Sequence, residues 1–240
     1  TVELEALLGD VGPRGVVYHR RYGPLLAEVV DPADLVLIDV DDGSGVAPLP
    51  CSTAYEAAVA TPVGDLTVPA PDDLYLVCTG GTTGRPKAVV WRQADIYVSA
   101  MAGVEGATAE SIATAAANGW VAPWFALPPL MHAAAQWTAF CGLHAGSPVL
   151  LRDDTDGFDA GEVLDLIERE GVFLMSIVGD AYALPLLEEL ERGDRDLSSL
   201  YVLGTGGAAT SDHLKAALLE LVPHLTIMDG YGASETGGMA

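Results

Sequence analysis

The sequence predicts an α/β fold with mostly parallel sheets flanked by helices. Two observations lead to this prediction. Short apolar runs alternate with amphipathic segments along most of the 240 residues, and glycine-rich segments follow several of those runs. Half of the residues are hydrophobic, which is enough for a substantial core in one large domain or in two.

The predicted strands are short apolar runs bounded by turn residues, a pattern typical of strands buried on both faces. Two of these runs flank the most glycine-rich segment of the chain. In chain order, the runs are Val16–Tyr18, Leu35–Ile38, Leu74–Cys78, Ala88–Trp91, Val149–Leu151, Val172–Val178, Leu200–Leu203 and Leu225–Met228.

Three helices are predicted between the later strands, at Asp159–Glu170, Asp180–Glu191 and Ser211–Leu221. In the first, apolar residues recur at helical spacing. Asp159 followed by Glu162 resembles a capping box, in which each side chain accepts a hydrogen bond from a backbone N–H of the other residue.

Two stretches indicate how the chain is organised. Residues 61–73 contain three prolines and a glycine, which predicts a surface connection and a subdivision of the domain there. Residues 111–151 carry no Asp, Glu, Lys or Arg, but prolines and polar residues interrupt them, so no apolar run of about 20 residues remains to cross a membrane. We interpret this stretch as buried core, part of which lines a pocket for an apolar substrate.

The net charge of −23 argues against binding to nucleic acid or to an anionic membrane surface. It also repels anionic substrates at long range. Any anion site must therefore be local, built from backbone N–H groups and a few cations. The three cysteines form no C-x-x-C pair, so neither a disulfide framework nor a zinc site is indicated. No signal peptide is visible, and we expect a cytoplasmic protein.

The most glycine-rich segment runs from Thr79 to Lys87 and contains three glycines, three threonines and one of the chain's two lysines. Glycines let the backbone turn its N–H groups toward one point, and the hydroxyls and the lysine add donors and charge, so the segment predicts a polyphosphate site. It differs from the common P-loop because Pro86 precedes the lysine and a strand follows it, with a helix starting only near Gln93. A glycine-rich hairpin turn without a ligand is the alternative.

Two later segments also follow predicted strands, and each taken singly is typical of a strand-to-loop turn. Gly204–Ala209 is rich in glycine and would let a flat ring approach the backbone. Asp229–Gly237 places an aromatic ring, a hydroxyl and a carboxylate past a strand end, groups that suit a nucleobase, a phosphate oxygen and Mg²⁺. Open α/β sheets bind ligands at the carboxyl ends of their strands, so we expect the three segments to share one cleft.

Together and in this order, the segments resemble those of the adenylate-forming superfamily, which includes acyl-CoA synthetases, luciferases and peptide-synthetase adenylation domains. The family's T-S-G-T-T-G-x-P-K-G is similar to the phosphate segment here, with Gly81 for the serine and Ala88 for the last glycine. Its Y-G-x-T-E is similar to Tyr231–Glu235, and its P-x-x-H segment is similar to Leu127–His132. The resemblance runs from about His19 to the end of the chain.

The resemblance implies an acyl-CoA ligase that uses ATP, Mg²⁺ and CoA to activate a small-molecule carboxylic acid through an acyl-adenylate, with AMP as product. It implies that Tyr231 stacks on adenine, that Ser234 contacts the α-phosphate and that Glu235 binds Mg²⁺. Asp229 is our candidate acceptor for the adenine amino group. The implied nucleotide-binding residues are Thr79, Gly80, Gly81, Thr82, Thr83, Gly84, Lys87, Gly206, Gly207, Ala208, Asp229, Gly230, Tyr231, Gly232 and Ser234, and the implied catalytic residues are His132, Lys87, Ser234 and Glu235.

Two of these residues have a second interpretation. His132 is either a partly buried histidine satisfied by a backbone group or, as the resemblance implies, a neighbour of the acyl carboxylate. Lys87 either contacts phosphate or anchors its loop. Within the family, Trp91-Arg92 and Pro128–Trp137 are most similar to actinobacterial-type fatty-acyl or steroid-side-chain CoA ligases, which favours a hydrophobic acid.

The resemblance also implies a C-terminal lid domain with a catalytic lysine, which has no counterpart in these 240 residues. We therefore expect the chain to be part of the large N-terminal, AMP-binding domain. The alternatives are a non-catalytic nucleotide-binding fragment or degenerate paralogue, an adenylation domain that loads a carrier protein, and a luciferase-like oxidoreductase. The oligomeric state is left open.

Overall fold

The computed structural model describes residues 2–64, 69–80, 87–119, 121–152, 157–193 and 195–238. They fall into two compact units. One consists of Thr1–Ala70 with Cys78–Val89, and the other of Pro71–Val77 with Val90–Ala240. The predicted subdivision near residues 61–73 stays a prediction.

The first unit contains a parallel sheet. Its elements are α1 (Val2–Val11), β1 (Gly15–His19), α2 (Gly23–Ala27), β2 (Val36–Val40), β3 (Thr53–Ala54) and α3 (Tyr55–Ala60), with 3-10 turns at Arg20–Tyr22 and Pro32–Asp34. The strand order is β1-β2-β3, and both pairs are parallel. Tyr18, Leu26 and Leu37 form the buried core. The buried carboxylate of Asp39 is paired with Arg20 at 2.7 Å, which offsets the cost of burying its charge.

The phosphate segment lies between two strands, as predicted. β4 (Leu74–Thr79) and β5 (Lys87–Arg92) form a two-stranded sheet. A helix, α4 (Gln93–Ala100), begins directly after β5, which confirms the predicted start at Gln93. Residues 81–86, which include Gly81, Thr82, Thr83 and Gly84, lie outside the described residues.

The second unit contains the larger sheet. Beyond α4 its elements are α5 (Ala109–Asn118), β6 (Trp124–Ala126), α6 (Ala133–His144), β7 (Val149–Leu150), α7 (Ala160–Glu170), β8 (Leu174–Ile177), α8 (Asp180–Leu190), β9 (Val202–Thr205), α9 (Asp212–Leu221), β10 (Thr226–Asp229), β11 (Gly232–Ala233) and β12 (Gly237–Gly238). Strands β6–β10 form a parallel sheet in the order β10-β9-β8-β6-β7. β11 and β12 form a small antiparallel pair. The predicted strands and helices of this region are confirmed, and β6 was not predicted.

The core of the second unit lies on one face of the five-stranded sheet. Phe125, Met175 and Leu203 are aligned across β6, β8 and β9 and are almost fully buried. Val163 and Ile167 of α7 pack in the same cluster and are fully buried. Burial of this apolar area is the main contribution to the stability of the unit.

Two details of helix capping differ from the sequence prediction. The side chain of Asp159 does accept a hydrogen bond from the backbone N–H of Glu162 at 3.0 Å. In place of the second hydrogen bond of the predicted capping box, the Glu162 carboxylate forms an ion pair with Arg152 at 3.0 Å. A complete capping box instead begins α5, between Thr108 and Ser111.

The charge-free stretch of residues 111–151 is only partly buried. Phe125 and Ala126 of β6 and Ala135 of α6 are core residues, which agrees with the prediction. Helix α5, described over its whole length, has no buried residue, so its alanine-rich sequence does not contribute to the core. None of the helices within the described ranges is long and apolar enough to cross a bilayer.

The first prediction concerns the central strand. Phe125→Ala is expected to lower the free energy of unfolding by about 3–5 kcal/mol, because it leaves a cavity under β6. Chemical denaturation of the chain measures the change. Val104→Ala, at a residue that is 70% exposed, is the control and should change it by less than about 0.5 kcal/mol. An equal loss in both variants would contradict this account of the core.

Candidate active site

The strand order indicates the edge of the sheet at which a ligand is expected to bind. In chain order, the five strands are arranged 5-4-3-1-2, so the order reverses between β6 and β8. Parallel α/β sheets bind ligands outside the carboxyl ends of their strands at such a switch point. The segments that leave this edge of the sheet include Leu127–His132 after β6, Val178–Asp180 after β8, Gly206–Ala208 after β9 and Gly230–Glu235 after β10.

The segments after β9 and β10 touch each other. The backbone N–H of Gly230 donates to the carbonyl of Thr205 at 2.6 Å. A Cβ atom built on Gly206 would lie 3.1 Å from the carbonyl oxygen of Gly230, so any larger side chain would push the two segments apart. Gly207 has a φ of +76°, which favours glycine. Two of the three segments predicted to share one cleft therefore touch at the Gly206–Gly230 contact, and the prediction that the phosphate segment joins them stays a prediction.

The Gly206–Ala208 loop is held at its base by neighbouring residues. The hydroxyls of Thr205 and Thr210 form a buried hydrogen bond. Gly179, with a φ of +57°, lies so close that a Cβ there would be 2.7 Å from the carbonyl oxygen of Ala209. The loop therefore has a backbone neighbour on the β8 side as well as on the β10 side.

Asp180 fixes the far end of the same loop. Its carboxylate accepts hydrogen bonds from both the backbone N–H and the hydroxyl of Ser211, the N-cap of α9. These two bonds hold the pKa of Asp180 below its usual value, the hydroxyl having the larger effect. The sequence analysis did not identify Gly179 or Asp180. The sequence signal that could have identified them is a Gly-Asp pair between a predicted strand and a predicted helix.

The segment after β10 forms a tight turn with exposed functional groups. Within it, the N–H of Thr236 donates to the carbonyl of Ala233 at 3.0 Å, and the N–H of Ala233 donates to the Thr236 hydroxyl at 3.1 Å. The ring of Tyr231 is 71% exposed, Glu235 is exposed and Ser234 is half-buried. The ring, the hydroxyl and the carboxylate are thus accessible to a ligand.

Asp229, our candidate acceptor for the adenine amino group, has a partner already. Its Oδ2 atom lies 2.8 Å from the ammonium of Lys215, which also pairs with Asp212 at 3.0 Å. The hydrogen bond to Asp229 raises the pKa of Lys215. The predicted role of Asp229 toward adenine stays a prediction.

The Leu127–His132 segment ends at the start of α6, where His132 is the N-cap residue and is exposed. Gln136, in the first turn of that helix, donates to the carbonyl of Leu130 at 2.6 Å and accepts a hydrogen bond from the hydroxyl of Tyr75. Burial raises the pKa of Tyr75. Gln136 and Tyr75 brace the segment, and the sequence analysis identified neither of them.

The ends of the phosphate segment are described, but its centre is not. Thr79 is the last residue of β4, Gly80 follows it, and Lys87 is the exposed first residue of β5. The predicted role of the segment in binding phosphate stays a prediction.

Glu235 is the predicted Mg²⁺ ligand. Within the described ranges no group of three or more His, Cys, Asp or Glu side chains is arranged to hold a metal ion. A single accessible carboxylate nevertheless fits Mg²⁺, since this ion is usually bound by one or two carboxylates together with water and substrate phosphates.

The sequence of the chain matches a known protein family over almost its whole length. The model of the family described as AMP-binding enzyme matches residues 2–240. The chain belongs to the AMP-binding enzyme family. This membership confirms the resemblance to adenylate-forming enzymes that rests on the phosphate segment, on Gly206–Ala208 and on Tyr231–Glu235.

Within the AMP-binding enzymes, the chain is similar to two mycobacterial proteins. The medium-chain acyl-CoA ligase Mig of Mycobacterium avium is 39% identical over 246 residues, which are 98% of this chain and 44% of that protein. A medium/long-chain-fatty-acid–CoA and 3-oxocholest-4-en-26-oate–CoA ligase of Mycobacterium tuberculosis is 36% identical over 253 residues, again 98% of this chain and 44% of that protein. The chain thus spans less than half the length of these relatives.

The fold agrees with that of a solved structure. The inhibitor-bound N-terminal domain of FACL13 from Mycobacterium tuberculosis has a TM-score of 0.72 at 21% sequence identity and covers 98% of this chain and 54% of that chain. At this identity the likeness concerns the fold alone. It confirms the predicted α/β class with parallel sheets.

The second prediction tests the packing of Gly179. Gly179→Ala is expected to lower the free energy of unfolding by about 1–3 kcal/mol, because the new Cβ sits at a positive φ against the backbone of Ala209. Gly193→Ala is the matched control, since a Cβ there meets no described atom within 4 Å. Chemical denaturation measures both. A neutral Gly179→Ala would show that the loop can move away at no cost.

The third prediction concerns pH. The folded pKa of Asp180 is lowered, so its carboxylate stabilises the fold above the unfolded pKa of about 3.9, and this contribution is lost as the pH falls through the folded pKa. Asp180→Asn should lower Tm at pH 7 by roughly 2–4 °C, and the gap to the unmodified protein should narrow below about pH 4. Glu220→Gln, on the exposed side of α9, is the control. A gap that stays constant from pH 7 to pH 3 would contradict the assignment.

Proposed function

We propose that the protein to which this chain belongs is an ATP-dependent acyl-CoA ligase that acts on hydrophobic acids. The observation that carries the proposal is the contact between the Gly206–Ala208 loop and the segment that contains Tyr231, Ser234 and Glu235. The exposed backbone of the loop suits a flat ring, and the segment offers an exposed aromatic ring, a hydroxyl and a carboxylate. An adenine ring, an α-phosphate and Mg²⁺ need these groups.

In the proposed first step, an oxygen of the substrate carboxylate attacks the α-phosphorus of ATP, and the bond to the pyrophosphate oxygen breaks. Both reactants are anions, so donors and positive charge must stabilise the charge that develops. We assign the Ser234 hydroxyl to the α-phosphate, the Lys87 ammonium to the terminal phosphates and His132 to the substrate carboxylate. Glu235 would hold Mg²⁺, which supplies Lewis-acid stabilisation of the phosphate oxygens.

In the proposed second step, the sulfur of CoA attacks the acyl carbon of the adenylate. The carbon–oxygen bond to AMP breaks, AMP leaves with the electron pair, and the thiol proton passes to solvent. The product is an acyl thioester. The step needs no redox partner, since no atom changes its oxidation state.

The hydrophobic class of the acid is supported by the face of the five-stranded sheet opposite the α7–α9 core. On that face, Ser176 of β8 is aligned with Gly204 of β9 and Met228 of β10. Among the described atoms, the nearest neighbour of a Cβ built on Gly204 would be 3.8 Å away, and Met228 is 58% exposed. The exposed apolar side chain of Met228, next to a glycine that carries no side chain, suits contact with an extended acyl chain. The names of the two mycobacterial relatives agree with such a substrate.

We further propose that the chain forms part of the large domain of the ligase and that the protein works in the cytoplasm. The first statement is supported by the two mycobacterial relatives, because the chain spans only 44% of the length of each. The second is supported by three free cysteines, Cys51, Cys78 and Cys141, which are typical of a reducing compartment.

The proposal is tested by ATP–pyrophosphate exchange and by thioester formation with CoA, using the complete protein and a series of acids. Expected is exchange with medium- and long-chain or steroid acids and little with acetate or amino acids. Exchange with amino acids alone would favour a carrier-loading adenylation domain. Tight ATP binding without exchange for any acid would favour a non-catalytic nucleotide-binding protein. Either result would contradict the proposal.

The fourth prediction concerns the α-phosphate contact. Ser234→Ala is expected to lower kcat for exchange by about 100-fold, because one donor to the developing charge is removed. Thr114→Ala, on the exposed surface of α5, is the control and should keep full activity. Steady-state kinetics measure both, and a Ser234→Ala variant with unchanged kcat would remove Ser234 from the assigned site.

A further inference from the structure

We infer that Trp91 is a positioning residue for the Ser234–Glu235 segment of the active site. The indole Nε1–H of Trp91 donates a hydrogen bond to the carbonyl oxygen of Ser234 at 2.8 Å. The two residues are 143 positions apart in the sequence, so the contact depends on the tertiary fold. The catalytic part of this inference rests on the proposed function, whereas the structural part does not.

The bonded atom explains why this contact controls geometry. The carbonyl of Ser234 belongs to the peptide group that links Ser234 to Glu235, and that group is planar. Fixing its oxygen therefore fixes the backbone on both sides, from which the hydroxyl and the carboxylate extend. Trp91 is only half-buried, and its ring combines an apolar body with one directed donor. It acts through the Ser234 backbone and is assigned no contact with the substrate.

A second contact holds the other end of the same turn. Gly237 is buried and has a φ of +73°. A Cβ there would lie 2.9 Å from both the Cβ and the carbonyl oxygen of Ser99 in α4. Trp91 and Ser99 lie in one continuous strand–helix segment, since β5 ends at Arg92 and α4 begins at the next residue. This segment therefore contacts the turn at both ends, at Ser234 and at Gly237.

The consequence for catalysis follows from the precision that the reaction needs. A displacement of about 1 Å at reacting groups can lower a rate by roughly 100-fold. The internal bonds of the turn between Ala233 and Thr236 keep its shape but do not fix its place on the molecule. We therefore assign that task to Trp91, with Ser99 as the second anchor.

The test uses two variants of the complete protein. Trp91→Phe keeps an aromatic ring and removes the N–H donor. Tyr18→Phe is the matched control, because it also removes one polar group from an aromatic ring. The Tyr18 hydroxyl accepts a hydrogen bond from the backbone N–H of Leu49 at 2.8 Å in the first unit. Hydrogen–deuterium exchange of residues 230–238 is measured without substrates, and ATP–pyrophosphate exchange is measured at varied Mg²⁺ and acid concentrations.

Expected for Trp91→Phe is at least tenfold faster deuterium uptake in residues 230–238. We also expect about tenfold lower kcat, a higher Mg²⁺ requirement and a KM for the acid within twofold of the unmodified protein. Tyr18→Phe should alter none of these. Unchanged uptake, or faster uptake with unchanged kinetics, would overturn the inference, and so would equal effects of both variants.

Two further results keep the test decisive. If Trp91→Phe does not fold, Trp91 is replaced by the isosteric 3-benzothienylalanine, which has sulfur in place of the N–H and is expected to give the same changes. If the unmodified protein shows no exchange with any acid, the proposed function fails. Deuterium uptake alone then decides whether Trp91 positions the segment.

Discussion

The candidate site depends on the close parallel pairing of β9 and β10 at their carboxyl ends. The hydrogen bond from Gly230 to Thr205 and the 3.1 Å approach at Gly206 bring two loops together with no space for a side chain between them. Glycine is favoured at this point because a Cβ on Gly206 would require the backbone of Gly230 to shift by a few tenths of an ångström. This pairing brings the Gly206–Ala208 loop next to Gly230, the residue that precedes Tyr231.

Longer-range contacts hold this edge in place from several directions. Asp180 accepts hydrogen bonds from Ser211, the N-cap residue of α9, and so fixes the end of the loop. Lys215 holds Asp229, and Trp91 holds the carbonyl of Ser234. Each anchor uses a side chain that the proposed chemistry does not consume. The net charge of −23 repels a nucleotide at long range, so the groups that bind one must be held locally in fixed positions.

Much of this arrangement was predictable, and the rest was not, for physical reasons. Long apolar runs such as Val172–Val178 predict strands, and the position of Asp159 predicts a helix cap, because these signals are local. Strand β6 has three residues inside an alanine-rich stretch, too few for a periodic pattern. The bond between Trp91 and Ser234 joins distant parts of the sequence, and no local pattern encodes such a pairing.

We propose that the adenine of ATP binds at the carboxyl edge formed by the Gly206–Ala208 loop and Tyr231. Photo-crosslinking of the complete protein with 8-azido-ATP, followed by peptide mapping, tests this most directly. The account predicts labels within residues 204–210 or 229–235 that excess ATP suppresses. ATP-sensitive labels confined to another surface, such as the depression of about 490 Å³ beside Thr108 and Asn118 on α5, would contradict it.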